Sequence, residues 1–346
     1  MRTTVCSILF LAALACCAFS RAASDCPEAE CHLCDLRGEI LKPDSLQNGE
    51  KLRRFEFRYA GTVHDLKPGT RVRVWLPMPV STEHQLVELV SAQLPSPAQS
   101  GRDSGSGNCM VSFETEVPDS GMVDFALTFD VTRAEVKGLA GRQKSLADAE
   151  RKQFLAPNRL VPITGKPLQL LDGLRLPNSP LELGRTLYDR VDEHMKYDKS
   201  QPGYGNGDSV WACDSRFGNC TDFHSLFISL ARAKGLPSRF EIGFPIPDER
   251  GSGKIGGYHC WAFFHTGEHG WVPTDISEAD KHPELKAYYF GNLTENRVTF
   301  SQGRDVNLVP RQSGEPLNYF VYPYAETDGK PIEKSHIKTD FSWRDR

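Results

Sequence analysis

The sequence lacks a run of about 18 apolar residues, so no transmembrane helix is expected. It also lacks an excess of basic charge: 41 Lys and Arg against 45 Asp and Glu leave a net charge of −4. That balance supplies no general field for phosphate, and nucleic acid is not expected as a partner. With 39% hydrophobic and 25% charged residues, it does not have the composition of a disordered acidic chain, a collagen or a coiled coil. A second Cys-x-x-Cys is missing, which argues against a zinc module. The stretch Gly203-Tyr204-Gly205-Asn206-Gly207 has no Lys-Ser/Thr of a phosphate cradle and reads as a flexible loop. What is left is a globular chain of 346 residues, long enough for two domains or one large one.

The first residues are of another kind. Arg2 precedes an apolar run over 5–19, and Ser20-Arg21-Ala22 follows. A basic start, a short apolar core and small residues at the −3 and −1 positions make a signal peptide of residues 1–22, with cleavage expected after Ala22. Ala13-Leu14-Ala15-Cys16 loosely resembles a bacterial lipoprotein box, so a lipid anchor at Cys16 or Cys17 is the alternative. Either route is extracytoplasmic: secreted, periplasmic or anchored to the envelope. Of the ten cysteines, Cys6, Cys16 and Cys17 fall in this leader. Cys26, Cys31, Cys34, Cys109, Cys213, Cys220 and Cys260 remain. Export permits disulfides, and an odd set leaves at least one thiol unpaired if all pairing is internal. Cys26, Cys31, His32 and Cys34 crowd one stretch, where disulfides are favoured over zinc.

Residues 23–52 read as a charged, Cys-containing tether. Residues 53–136 read as a β-sandwich-like domain. Phe55, Phe57 and Tyr59 alternate with polar neighbours, as do Val72, Val74 and Leu76, and Val123, Phe125, Leu127, Phe129 and Val131. Residues 95–108, rich in Ser, Gly and Pro, read as a loop. Residues 137–178 are a polar connection. A core spans 179–290, opening at the capping box Ser179-Pro180-Leu181-Glu182, whose helix is expected to end near Tyr197. Residues 291–346 read as a C-terminal extension of that core. Short strands are expected at 288–291, 298–300 and 306–309, an aromatic cluster at 319–324, and a loose polar tail from 326.

The chemistry concentrates at Phe217-Gly218-Asn219-Cys220-Thr221-Asp222-Phe223-His224. Phe223, Leu226, Phe227, Leu230 and Ala231 then make one apolar helix face, and Gly235 stops the helix. Asn219 is the expected cap, which puts Cys220 in the first turn. There the free N–H groups and the helix dipole favour thiolate over thiol and can hold an oxyanion. Strands are expected at 238–244, 258–264 and 270–275. On the second, His259, Trp261 and Phe263 share one face and Cys260 the other, so Cys260 should point away from what His259 serves. On the third, Trp271, Pro273 and Asp275 share a face. A thiol at a helix start, followed by His and then Asp on strands, is what thiol catalysis requires: nucleophile, proton carrier and the carboxylate that orients it.

Gly218-Asn219-Cys220-Thr221-Asp222, Gly257-Tyr258-His259-Cys260-Trp261-Ala262 and Gly270-Trp271-Val272-Pro273-Thr274-Asp275 resemble the three motifs of the transglutaminase-like superfamily, over about residues 180–290. The resemblance implies an α+β, papain-like core in which Cys220, His259 and Asp275 form the catalytic triad. It also fits a preceding β domain. The calcium motifs of animal transglutaminases have no counterpart here, so no metal and no cofactor are expected.

His224 is a rival base, but a rigid i, i+4 pair lacks the freedom to swing between nucleophile and leaving group. His265 and His269 read as exposed turn residues. Asp222 reads as a dipole partner of the helix. Trp211, Asn219, Tyr258 and Trp261 are the candidate substrate or oxyanion contacts. Cys213 could pair with Cys260, and a zinc cluster of Cys213, Cys220, His259 and Cys260 is the disfavoured metal reading. Asn219-Cys220-Thr221 and Asn292-Leu293-Thr294 match the glycosylation pattern, the first by chance. The expected function is an exported cysteine peptidase or amidase acting on a protein or peptide through an acyl-thioester. The alternatives are a protein-glutamine cross-linker, a non-catalytic envelope-binding module and a cysteine-rich metal protein. Oligomeric state is not specified by the sequence.

Overall fold

A computed structural model describes residue 46 and residues 51–141 and 144–346. The expected leader, the anchor alternatives Cys16 and Cys17, and the cluster of Cys26, Cys31, His32 and Cys34 lie outside the described residues. Among the described residues, no helix is long and apolar enough to cross a membrane.

Period-two patterning builds six strands in the first half: β1 (Leu52–Val63), β2 (Arg71–Met78), β3 (Gln85–Gln93), β4 (Ala98–Arg102), β5 (Cys109–Glu116) and β6 (Val123–Ala134). β4 lies inside 95–108, expected as a loop. It is a five-residue edge strand whose buried Ala98 pairs with Phe113, and its Ser- and Gly-rich neighbours hid it. β1, β3 and β6 share one antiparallel sheet, and β2, β4 and β5 another.

Both sheets are completed by the far end of the chain. Strand Ile337–Asp345 pairs with β1 from Phe55 to Val63, and Tyr324–Thr327 pairs with β2. Two expectations are thereby corrected. Residues 291–346 do not all extend the core, and the tail from 326 is not loose. Phe341 and Trp343, two residues apart on Ile337–Asp345, are both buried; the polar residues between and around them masked this short alternation. Strand Arg297–Gln302 is the part of this region that joins the core sheet. The strands expected at 288–291 and 306–309 are instead a short helix, Lys286–Tyr289, and a single bridge from Val306 to Leu317.

The core sheet is antiparallel, in the order Gly270–Thr274, His259–Thr266, Ser238–Pro245, Arg297–Gln302. Helix Cys220–Ala233 lies against it. Cys260, Ala262 and Phe264 share the continuous core with this helix, while Trp261 and Phe263 pack with Val136 and Leu293 in a separate cluster. The expected alternation is therefore present. The helix itself differs from expectation: every residue from Cys220 to Arg232 is buried, not one apolar face alone. Helix Pro180–His194 starts at the Ser179 cap and stops short of Tyr197, because Lys196–Tyr197 leaves it to pair with Phe217–Gly218. Residues 137–178 hold a further helix, Asp148–Leu155.

The sheets share one interior. The Phe57 ring lies 5.1 Å from Phe244 and 5.5 Å from Phe300 of the core sheet. Phe341 lies 4.5 Å from Phe244 and 4.7 Å from Tyr59. Arg53, with 1% of its surface exposed, grips Asp345 through Nε at 2.9 Å and Nη2 at 3.2 Å, and donates to Pro247 O at 2.6 Å. The last strand is therefore a structural member of this core. Phe341→Ala should cost about 3–5 kcal/mol in urea unfolding, against under ~0.5 kcal/mol for the exposed Leu52→Ala. Equal small costs would remove the strand from the core.

Candidate active site

The parallel pairing of Phe217–Gly218 with Lys196–Tyr197 fixes the chain's entry into the Cys220 helix. A Cβ on Gly218 would lie 2.6 Å from Asp222 Oδ2, so this approach needs glycine. Asn219 caps the helix. Its Oδ1 accepts from the Thr221 N–H at 2.9 Å, and its own N–H donates to Asp222 Oδ2 at 2.9 Å. Cys220 is the first helical residue and is 2% exposed.

Asp222 also accepts from the N–H groups of Gly205 at 2.7 Å and Gly207 at 2.9 Å. Burial pushes its pKa up to about 6 against the pull of these donors. Arg304 donates to the carbonyls of Asn206 and Gly207, both at 2.9 Å, and Tyr319 donates to Gly205 O at 3.1 Å. The loop expected to be flexible is thus clamped from both sides beside the helix start. Glycine content reported its backbone geometry, not its freedom.

His259 opens its strand and reaches Asp275, with Nε2 2.8 Å from Oδ2. The ring also interacts with the Cys220 sulfur. Asp275 is not a strand residue. It caps the next helix, Ile276–Lys281, accepting from the Glu278 N–H at 3.3 Å. Arg297 Nη1 donates to the same Asp275 oxygen at 3.0 Å, and its guanidinium lies 4.7 Å over the Trp261 ring. Asp275 is wholly buried; burial pushes its pKa up, but His259, Arg297 and His224 pull it well below the carboxylate range. Burial opposes the charge on His259, yet Asp275 and Cys220 raise its pKa to about 10. Burial likewise pushes the Cys220 thiol up, and hydrogen bonds from Cys260 and His259, with the His259 charge, pull it well below the ordinary thiol range. The geometry therefore favours a thiolate beside an imidazolium.

His224 is a different histidine. It is wholly buried, its Nε2 accepts from the Ile276 N–H at 3.1 Å, and its Nδ1 lies 3.5 Å from Cys260 Sγ. Burial lowers its pKa to about 4, so it stays neutral. Cys260 was expected to point away from the site. It does lie on the opposite strand face from Trp261, but that is the face on which the Cys220 helix sits, so its sulfur meets Thr221 Oγ1 at 3.8 Å as well as His224. Cys213 is elsewhere, with its sulfur 3.8 Å from Lys166 O, and both thiols are free. The Cys213–Cys260 disulfide is corrected accordingly, and Cys213 stands apart from the other three residues of the disfavoured zinc cluster.

Among the candidate contacts, Tyr258 Oη receives Asn219 Nδ2 at 3.0 Å and lies 2.8 Å from Thr221 Oγ1. Trp211 packs edge-on to Phe217. Trp261 is wholly buried and donates to Glu241 Oε2 at 3.0 Å, which removes it as a substrate contact. His265, expected in an exposed turn, is 6% exposed and set edge-on to Trp271. Sequence reading missed Arg297, Arg304, Tyr319 and Tyr322. The last two pack against Tyr258 at 5.5 and 5.7 Å. The aromatic density at 319–324 was the signal available for them; a lone arginine after a turn carries none.

His259, Asp275 and Glu278 bring ligand atoms within 4.8 Å of one another, as do His64, Asp65 and His336. At the first group, Arg297 on Asp275 and Lys281 on Glu278 already supply positive charge.

Residues 169–276 match the family model of the transglutaminase-like superfamily. An uncharacterized protein of Haemophilus influenzae is 33% identical over 186 residues, 44% of this chain and 50% of that protein. This chain thus spans about half the length of the curated relative it matches. A structure from Cytophaga hutchinsonii, provisionally assigned as a cysteine protease, aligns with a TM-score of 0.54 at 14% identity, covering 86% of this chain and 99% of its own. The periplasmic domain of TgpA from Pseudomonas aeruginosa aligns at 17% identity and a TM-score of 0.35, over 70% of this chain and 94% of its own. The fold is mixed α+β with a sheet-rich N-terminal region around this transglutaminase-like domain.

The influence of Cys260 on the Cys220 thiol yields a direct expectation. Cys260→Ala should slow alkylation of Cys220 at pH 6 by about threefold to tenfold, a thiol being a weak donor. Mass spectrometry of the labelled peptide reads it, and an unchanged rate would assign the thiolate to His259 alone.

Proposed function

From a transglutaminase-like domain at residues 169–276, we propose an exported cysteine hydrolase that cleaves peptide or side-chain amide bonds, with Cys220, His259 and Asp275 as its catalytic residues. The observation that carries this reading is the convergence at the start of the Cys220 helix. There a buried thiol, its pKa pulled down by Cys260 and His259 against burial, interacts with His259, whose Nε2 is anchored 2.8 Å from Asp275 Oδ2. The papain-like likeness of the core and the family match support it. Export rests on the leader at residues 1–22, and the substrate is a protein or peptide.

The Cys220 thiolate attacks the amide carbonyl carbon, forming a C–S bond, and the carbonyl oxygen takes the negative charge. The Cys220 N–H at the first helical position has no intrahelical acceptor and faces the helix dipole's positive end, where it would receive that oxygen. The C–N bond breaks as His259 Nδ1–H gives its proton to the leaving amine, and a thioester remains. His259, now neutral, takes a proton from water as the water oxygen attacks the thioester. The C–S bond breaks, an acid leaves, and the thiolate–imidazolium pair is restored. Asp275 orients the ring throughout and stabilises its charged form. Water at bulk concentration is the favoured acceptor. An amine in its place would make the same thioester a cross-linking intermediate.

Alkylation and turnover test this on the protein from residue 23. The thiolate is present above the lowered Cys220 pKa, and its imidazolium partner persists until about pH 10. Fast labelling of Cys220 well below pH 8 is expected, with the low-pH limb lost in His259→Ala. Cys220→Ala and His259→Ala should reduce release of amine from peptide amides at least about a thousandfold while folding is kept. An ordinary thiol profile near pH 8.5, unchanged by His259→Ala, would overturn the pair and favour a binding module that kept the fold.

A further inference from the structure

Arg133, at the end of β6, is 1% exposed. Its Nη1 donates to Gln85 Oε1 at 3.1 Å and Thr299 Oγ1 at 3.2 Å. Its Nε and Nη2 meet no acceptor. These two atoms form the side-on fork of a guanidinium, the pair that takes a carboxylate or phosphate bidentately. At three other arginines the same fork is closed on a carboxylate. Arg53 holds Asp345 with it, Arg54 holds Asp130, and Arg73 holds Glu114. The Arg133 fork is open, although Arg133 is as buried as Arg53.

Arg133 lines a cavity of about 230 Å³ between β6, the segment before β3 and the core sheet. Arg239 lines it too, and its buried Nε also has no acceptor. The facing carboxylate is Glu241, and both of its oxygens are taken: Oε1 lies 2.9 Å from Arg239 Nη2, and Oε2 accepts from Trp261. Glu83, at the rim, is half-exposed and 3.6 Å from His84. Two arginines and two glutamates thus line the wall, and three donor nitrogens, Arg133 Nε and Nη2 and Arg239 Nε, are unused. A guanidinium taken out of water without a counter-charge is strongly disfavoured.

We propose that this cavity is a binding site for a small oxyanion, a carboxylate or phosphate group held by the Nε–Nη2 fork of Arg133 and by Arg239. Gln85, Asn108 and Thr299 supply the polar wall around it. The site is separate from the Cys220 centre and uses none of the residues assigned to the reaction.

Calorimetric titration with inorganic phosphate and, separately, malonate tests this, with Tm followed in parallel. Saturable one-to-one binding and a Tm raised by several degrees are expected. Arg133→Gln and Arg239→Gln should each weaken binding at least about tenfold, while the exposed Arg54→Gln leaves it unchanged. Binding by phosphate alone or malonate alone supports the site and names its chemistry. If Arg133→Gln does not fold, Arg239→Gln decides. No saturable binding of either anion up to ~10 mM, or binding undiminished in the folded variants, would overturn the proposal.

Discussion

Asp275 is a carboxylate with no exposed surface, and much of the surrounding architecture answers its charge. Its Oδ2 receives His259 at 2.8 Å and Arg297 at 3.0 Å, while Oδ1 accepts the helix-cap bond from Glu278 N–H. Glu278 in turn lies 3.7 Å from His259 and pairs with Lys281. The result is an alternating series, Arg297, Asp275, His259, Glu278, Lys281, running from the interior to a partly exposed ammonium. Buried ion pairs are weak sources of net stability, and breaking one leaves an uncompensated charge. The value of this series is positional. It fixes one imidazole in one orientation with its charged form favoured.

That orientation matters only if the thiol is equally fixed, and a second polar set does this. Asp222 holds the Asn219 N–H and two glycine N–H groups, and Arg304 holds the carbonyls of the same glycine loop. Sequence separation is large, yet these contacts meet at one helix start. Arg232 does similar service at the other end of the helix, donating to Ser238 O through both Nε and Nη2. A helix buried on every side can carry Thr, Asp, His, Ser and Arg only because each polar group finds a partner.

What was legible in the sequence follows from the range of the physics. The cap at Asn219, the stop at Gly235 and the alternation of β1, β2 and β6 depend on neighbours a few residues apart, and local pattern reports them. The pairing of Ile337–Asp345 with β1 spans nearly the whole chain, and its inward residues are two aromatics among charged ones. Nothing local separates that strand from a polar tail. The glycine loop misled for a related reason. Composition describes what a backbone can do alone, whereas Asp222 and Arg304 decide what it does here. Arg297 left no local mark, since a single arginine acquires its meaning from Asp275 across the fold.

Cys260 shows where a sound local rule needs its three-dimensional complement. Alternation places His259 and Cys260 on opposite faces of their strand, and both nevertheless interact with Cys220. The two facts agree once the position of the thiol is considered. Cys220 sits at the N-terminal end of a helix that covers the Cys260 face, and His259 is the first residue of its strand, where the sheet no longer separates the faces. Burial keeps His224 neutral, so it adds no competing proton carrier beneath them. Tyr258, Tyr319 and Tyr322 stay protonated, their phenols pushed up first by burial and then by the negative sulfur nearby. A thiolate in such surroundings is shielded from solvent, and its stability rests on a few specific neighbours. That is the condition under which losing one of them changes reactivity more than it changes the fold.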